Sequence, residues 1–174
     1  LPELKRRVAR VQRASLQPGS YFHLLSYQER VQRLIDAGDM GYRFELLVSE
    51  WQALQQNPKQ AHAIVALYYV HVAHARVHQC LRAETRERKP LLRRLRQALS
   101  DLEAAARNSL FKAHVLVTRA AYAFFTGSEV DAEPCLAQAE SLAREIGCVW
   151  VSFAAARLRA HILKARGKHA AARD

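Results

Sequence analysis

Apolar residues return every three or four positions along almost the whole chain, the period of amphipathic helices. That period predicts eight helices and the beginning of a ninth. Leu4, Val8, Val11 and Ser15 share one face of the first, which Pro18 and Gly19 end. Ser26 and Glu29 have the spacing of a capping box for the second, with Tyr27, Val31, Leu34 and Ile35 as its apolar positions and Gly38 as its stop. Asp39 is placed to cap the third, where Met40, Phe44, Leu47, Trp51 and Leu54 keep strict four-three spacing. Asn57 and Pro58 suit the start of a long fourth helix running to about Glu84. Pro90 suits the start of a fifth, with Leu92, Leu95, Leu99, Leu102 and Ala106 along its buried edge. Asn108 and Ser109 open a sixth that runs through Phe125. Ser128 and Asp131 offer a capping box for a seventh, with Pro134 in its first turn, and the eighth runs from about Cys148 to Arg166.

Two stretches follow the same plan 40 residues apart. Alanine-rich helix runs into Gly127 and again into Gly167, with Ala132 and Ala172 five residues beyond each glycine. A third copy aligns Leu95 with Leu136 and Ala98 with Ala139. Self-similarity at this period marks stacked helix hairpins, because a lone hairpin cannot bury its apolar face. Short connections make consecutive helices antiparallel, and Ala113, Ala120, Ala132, Ala139, Ala160 and Ala172 permit close approach. The expected architecture is an all-α superhelix of antiparallel hairpins in one domain over 1–174. Its parts are divergent helices over 1–56, a long hairpin over 57–107, a repeat over 108–147 and a partial repeat over 148–174. An initial Leu and an unfinished final helix suggest an excerpt from a longer polypeptide.

The order of Gly127, Ala132 and Ala139, repeated as Gly167 and Ala172, resembles the tetratricopeptide repeat. The 40-residue spacing is longer than that family's period of about 34, and is similar to the lengthened repeats of MalT-type and other large bacterial signalling regulators. The stretch from Leu91 to Gly147 also resembles the helical region after the ATPase module of multidomain bacterial serine/threonine kinases. The usual aromatic near the start of each repeat and the proline at its end are missing. What the resemblance implies is a non-catalytic protein-interaction or regulatory module. No GxxxxGK[ST], GxGxxG or HRD-type loop occurs, so phosphate chemistry by those motifs is excluded for this chain.

With 6 Gly and 5 Pro in 174 residues, the chain has too little punctuation for an all-β fold. Apolar runs such as Ala63 to Val70 are too short to span a bilayer. Cys80, Cys135 and Cys148 sit singly in helical patterns, which argues against a disulfide framework and for packing over nucleophilic roles. A soluble protein of the reducing cytoplasm is expected, with no cofactor.

Charge adds a second layer. Of a net +11, residues Leu1 to Leu16 carry +4 and Arg82 to Arg96 carry +5. Such concentration favours an acidic partner, against the plainer reading of a solvated arginine-rich face. Nucleic acid is disfavoured, because the arginines of RERKPLLRRLR interleave with core leucines and lack the aromatic stacking platforms that single-strand binders use. His71, His74 and His78 lie within a narrow arc of the fourth helix, a spacing that suits zinc or nickel ligation as well as ordinary packing. The three histidines have no carboxylate among them to act as a base.

If the hairpins align as in tetratricopeptide domains, the first helix of each lines the concave face. Arg157, His161 and Lys164 then form one stripe, with His114, Thr118 and Phe125 displayed on the sixth helix. Some domains of that family hold an acidic peptide end between basic side chains; here His161 stands where such a clamp carries asparagine. The functional expectation is an acidic peptide or protein bound on this face. One alternative is a ligand- or inhibitor-sensing arm of a transcription regulator, and another is an enzyme with a histidine-bound metal.

Overall fold

The computed structural model describes residues 20–167, except for the side chains of Thr85 and Glu129. Among the described residues there are seven α-helices and no strand, so the protein is all-α. They are α1 (Tyr21–Asp36), α2 (Tyr42–Ala53), α3 (Ala63–Arg82), α4 (Thr85–Ala105), α5 (Ser109–Phe125), α6 (Glu129–Ile146) and α7 (Val149–Ala165), with a short 3-10 turn at Pro58–Gln60. The expected first helix and the start of a ninth, including Ala172, lie outside the described residues. The chain divides into two compact units, Leu1–Val72 and Ala73–Asp174, the division falling inside α3.

The core of the first unit is aromatic. The four-three stripe on α2 buries Phe44, Leu47 and Trp51. Trp51 stacks on Tyr68 at 4.0 Å between ring centroids, and meets Tyr27 and Tyr69 edge-on at 5.6 and 5.8 Å. Rings packed this way combine large apolar burial with favourable quadrupole geometry, worth about 1 kcal/mol per pair beyond area.

The second unit is built on small residues. Helix α5 packs against α4, α6 and α7, and α6 packs against α7. Ala113, Ala120, Ala121, Ala132, Ala139 and Ala155 are essentially inaccessible, as are Leu95 and Leu136. The aligned pairs Leu95 with Leu136 and Ala98 with Ala139 are all buried, as expected if they hold equivalent places in successive hairpins.

Glycine stops carry the chain between helices. Gly38, Gly127 and Gly147 adopt φ of +69°, +83° and +68°, and in each case the next residue's N–H reaches back to a carbonyl five residues earlier. This closure needs left-handed backbone, which glycine enters without strain.

Helix starts differ from the expected ones. Helix α1 begins at Tyr21 because Ser20, one turn and a half upstream, accepts from the His23 N–H at 3.2 Å. Ser26 bonds instead to the His23 carbonyl within the helix. Asp39 accepts from Gly41 N and pairs with Arg43, leaving Met40 outside α2. Asn57 caps only the 3-10 turn, after which Ala61 is extended, and α3 starts at Ala63. Ser128 makes no side-chain cap, since closure at Gly127 fixes its backbone away from the extended form. Pro90 and Pro134 each sit at the sixth position of their helices and not at the start. Each removes one helical hydrogen bond. Around Pro90 this is tolerable because Arg86 and Pro90 are both exposed and water can serve the freed carbonyl. Asn108 does cap α5, accepting from Phe111 N at 3.0 Å.

A Cβ at position 147 would meet nothing within 4 Å, so strain there is purely conformational. Gly147→Ala should lower unfolding free energy by about 1 kcal/mol and Gly147→Asn by less, measured by urea denaturation.

Candidate functional site

Helix α7 follows directly on the Gly147 turn, and its inward positions Val151, Ala155, Leu158 and Ile162 recur at four-three-four spacing. That register turns Arg157 and Lys164 to solvent and leaves His161 half-buried. Arg159 lies between the two faces and is held by Glu133 and Glu140 of α6. The hydrogen bond it donates to Glu140, helped by that to Glu133, strengthens its hold on its proton against the cost of burial. One arginine of α7 is therefore neutralised within the fold. Among the described residues Arg157, Lys164 and Arg82 have no carboxylate in ion-pair contact.

The end of α3 brings His78 and Arg82 to the same neighbourhood. The pKa of His78 is lowered first by burial and then by the charges of Arg157 and Arg82 and by His161. His161 is lowered by burial and then by Arg157 and Lys164. At neutral pH the imidazoles are thus uncharged donors and acceptors among permanent cations. Individual exposed charges contribute little to stability, but several of one sign raise the local potential felt by an anionic partner.

Two residues expected on the display surface are not there. His114 is 1% exposed and Thr118 0%. Both face inward because α5 is covered by three helices. The Thr118 hydroxyl donates to the His114 carbonyl at 2.9 Å. The His114 ring meets His74, Nδ1 to Nε2, at 3.0 Å. Trp150 packs on both rings, at 4.8 Å from His114 and 5.4 Å from His74. Phe125 is half-buried beside the Arg88 guanidinium, whose carbon is 5.7 Å from its ring centroid, and so belongs to a different place from the α7 stripe.

The three histidines of α3 do not converge either. His71 and His78 share an arc, but seven residues separate them by about 10 Å along the axis, far beyond a common metal shell of about 2 Å radius. His74 is engaged by His114 and Trp150. Among the described residues no three or more His, Cys, Asp or Glu side chains form a group that could hold a metal. Burial pushes the Cys80 thiol up to about 11, away from the thiolate that nucleophilic chemistry needs. Arg82 and Trp150 were not singled out from sequence. Arg82 stands in a basic run whose other members belong to α4, and Trp150, seven residues before Arg157 and so on the same face of α7, carries no charge to mark it as part of that stripe.

No helix among the described residues is long and apolar enough to cross a membrane. No family profile, curated protein or solved structure matches this chain.

His71 provides a pH test. Burial lowers its pKa from 6.5 to about 4, against a smaller opposing effect of Asp36. Between those values the unfolded chain binds a proton that the folded chain refuses. Stability is complete above about pH 7 and falls as the pH drops from 6.5 towards 4, by up to about 3 kcal/mol from this residue. Unfolding free energies measured across that range should show this slope, and His71→Gln should flatten it. An unchanged slope in the variant would remove His71 as its source.

Proposed function

We propose that this chain is a non-catalytic interaction module that binds an acidic peptide or protein segment through the basic face of α7. The observation that carries the reading is the local excess of cations around Arg157, Lys164 and Arg82, none of them in ion-pair contact among the described residues, while several other arginines are matched by acids. Arg30 pairs with Glu50, Arg33 with Glu29, Arg119 with Glu103 and Arg159 with Glu133 and Glu140. Against that background Arg157 and Lys164 stand exposed, with half-buried His161 between them along the helix.

Sequential hairpins closed by glycine support a likeness to tetratricopeptide modules. The corresponding binding mode would be capture of an acidic chain end between basic side chains. Neutral His161 can accept or donate a hydrogen bond where that family uses an amide. A role as a regulatory arm of a larger bacterial signalling protein fits the same module.

A fluorescein-labelled peptide ending in consecutive glutamates with a free carboxylate is the direct probe. Arg157→Glu with Lys164→Glu should weaken binding roughly tenfold or more, about 1.4 kcal/mol, and added salt should weaken the parent's binding. Unchanged affinity in the double variant would remove these residues from the site.

A further inference from the structure

The basic run of α4 meets an apolar surface on α5. Arg88, Lys89, Arg93 and Arg96 occupy neighbouring rows of α4, extending about 12 Å along its axis. With Leu92 they line one wall of a cavity of about 440 Å³, and Tyr122, Phe125 and Thr126 of α5 line the other. No acidic side chain takes part in the lining. Among the described residues Lys89, Arg93 and Arg96 have no ion-pair partner, whereas Arg86 on the same helix pairs with Glu84 at 3.0 Å. Arg88 donates through Nη2 to the Ala83 carbonyl, while its buried Nε has no hydrogen-bond partner.

These features select among anionic ligands. The Thr126 hydroxyl is already committed to the Tyr122 and Ala123 carbonyls, and Thr126 caps the C-terminal end of α5, where the helix dipole is negative. No cradle of free N–H groups is supplied for a compact phosphate. Stacked bases need open aromatic faces, yet Phe125 is approached by Arg88 and packed against Phe124 at 5.2 Å. An apolar depression edged by a row of cations instead suits one bulky side chain flanked along an extended backbone by carboxylates. A cavity of this volume is of ligand-pocket size.

We infer that the α4–α5 groove binds an internal acidic peptide segment carrying a single aromatic or large aliphatic anchor. The anchor side chain enters between Leu92, Tyr122 and Phe125, and flanking Asp or Glu residues meet Arg93, Arg96 and Lys89. The site shares no residue with the α7 stripe and does not depend on it. It also differs in chemistry, since it needs no free chain end.

The test uses a fluorescein-labelled peptide of Asp and Glu around one Phe, with its C-terminus amidated. Fluorescence polarisation is read against the whole chain, the Arg93→Glu/Arg96→Glu variant, and the Arg157→Glu/Lys164→Glu variant. The first variant should lose roughly tenfold or more in affinity, with helicity unchanged by circular dichroism because both positions are exposed. The α7 variant should bind as the parent does, and a peptide with Gly replacing its Phe should bind the parent more weakly. The inference is overturned if Arg93→Glu/Arg96→Glu leaves affinity unchanged, or if the Gly peptide binds equally well. It is overturned in favour of nucleic acid if a single-stranded oligonucleotide binds more tightly than the peptide at the same salt and competes with it. Loss only in the α7 variant would end the groove proposal while leaving the α7 reading intact.

Discussion

Close approach of helices through alanine is the constraint on which the second unit depends. Ala120 and Ala121 on α5 and Ala132, Ala139 and Ala143 on α6 are buried almost to the last square ångström, and these two helices form one continuous seam. A methyl group contributes little transfer energy by itself. Its value is geometric, because it lets two backbones come near enough for Leu136 and Val117 to fill the remaining space. With α5 enclosed, α4 and α7 are left as outer helices, and their outward rows are where arginine and lysine can stand. The basic surfaces follow from the packing.

The two units reach stability by different means. Around Trp51 the first uses rings, with Tyr27, Tyr68 and Tyr69 arranged about one indole. The second uses aliphatic and small residues, with a polar inclusion where His74, His114 and Trp150 meet. That inclusion satisfies one buried imidazole nitrogen by another, which avoids the cost of an unpaired polar atom in the interior. It also explains why a histidine at a display-like position contributes to packing.

Helix content and the glycine stops were legible because both are local. A period of three to four needs no knowledge of neighbours, and Gly38, Gly127 and Gly147 announce left-handed backbone wherever they occur. Starts were less legible, since Ser20 and Ser26 are equivalent by type, and only the full extent of the apolar face favours the earlier one. The inward turn of His114 and Thr118 was hidden for another reason. Their spacing fits a stripe on α5, but which face of a helix is covered depends on how many helices surround it, and α5 is enclosed by α4, α6 and α7. The aromatic residues beside the basic run on α4 leave no trace in its sequence because they arrive from α5, some 30 residues later in the chain. Side-chain partners drawn from distant segments leave no mark in a local pattern.

The seam between α5 and α6 can be tested by overpacking it. Ala139→Leu adds three carbons where the side chain is fully buried, and should lower the unfolding free energy by about 1–3 kcal/mol, measured by urea denaturation followed by circular dichroism. Stability equal to or above that of the parent would contradict the claim that close helix approach at alanine organises this unit.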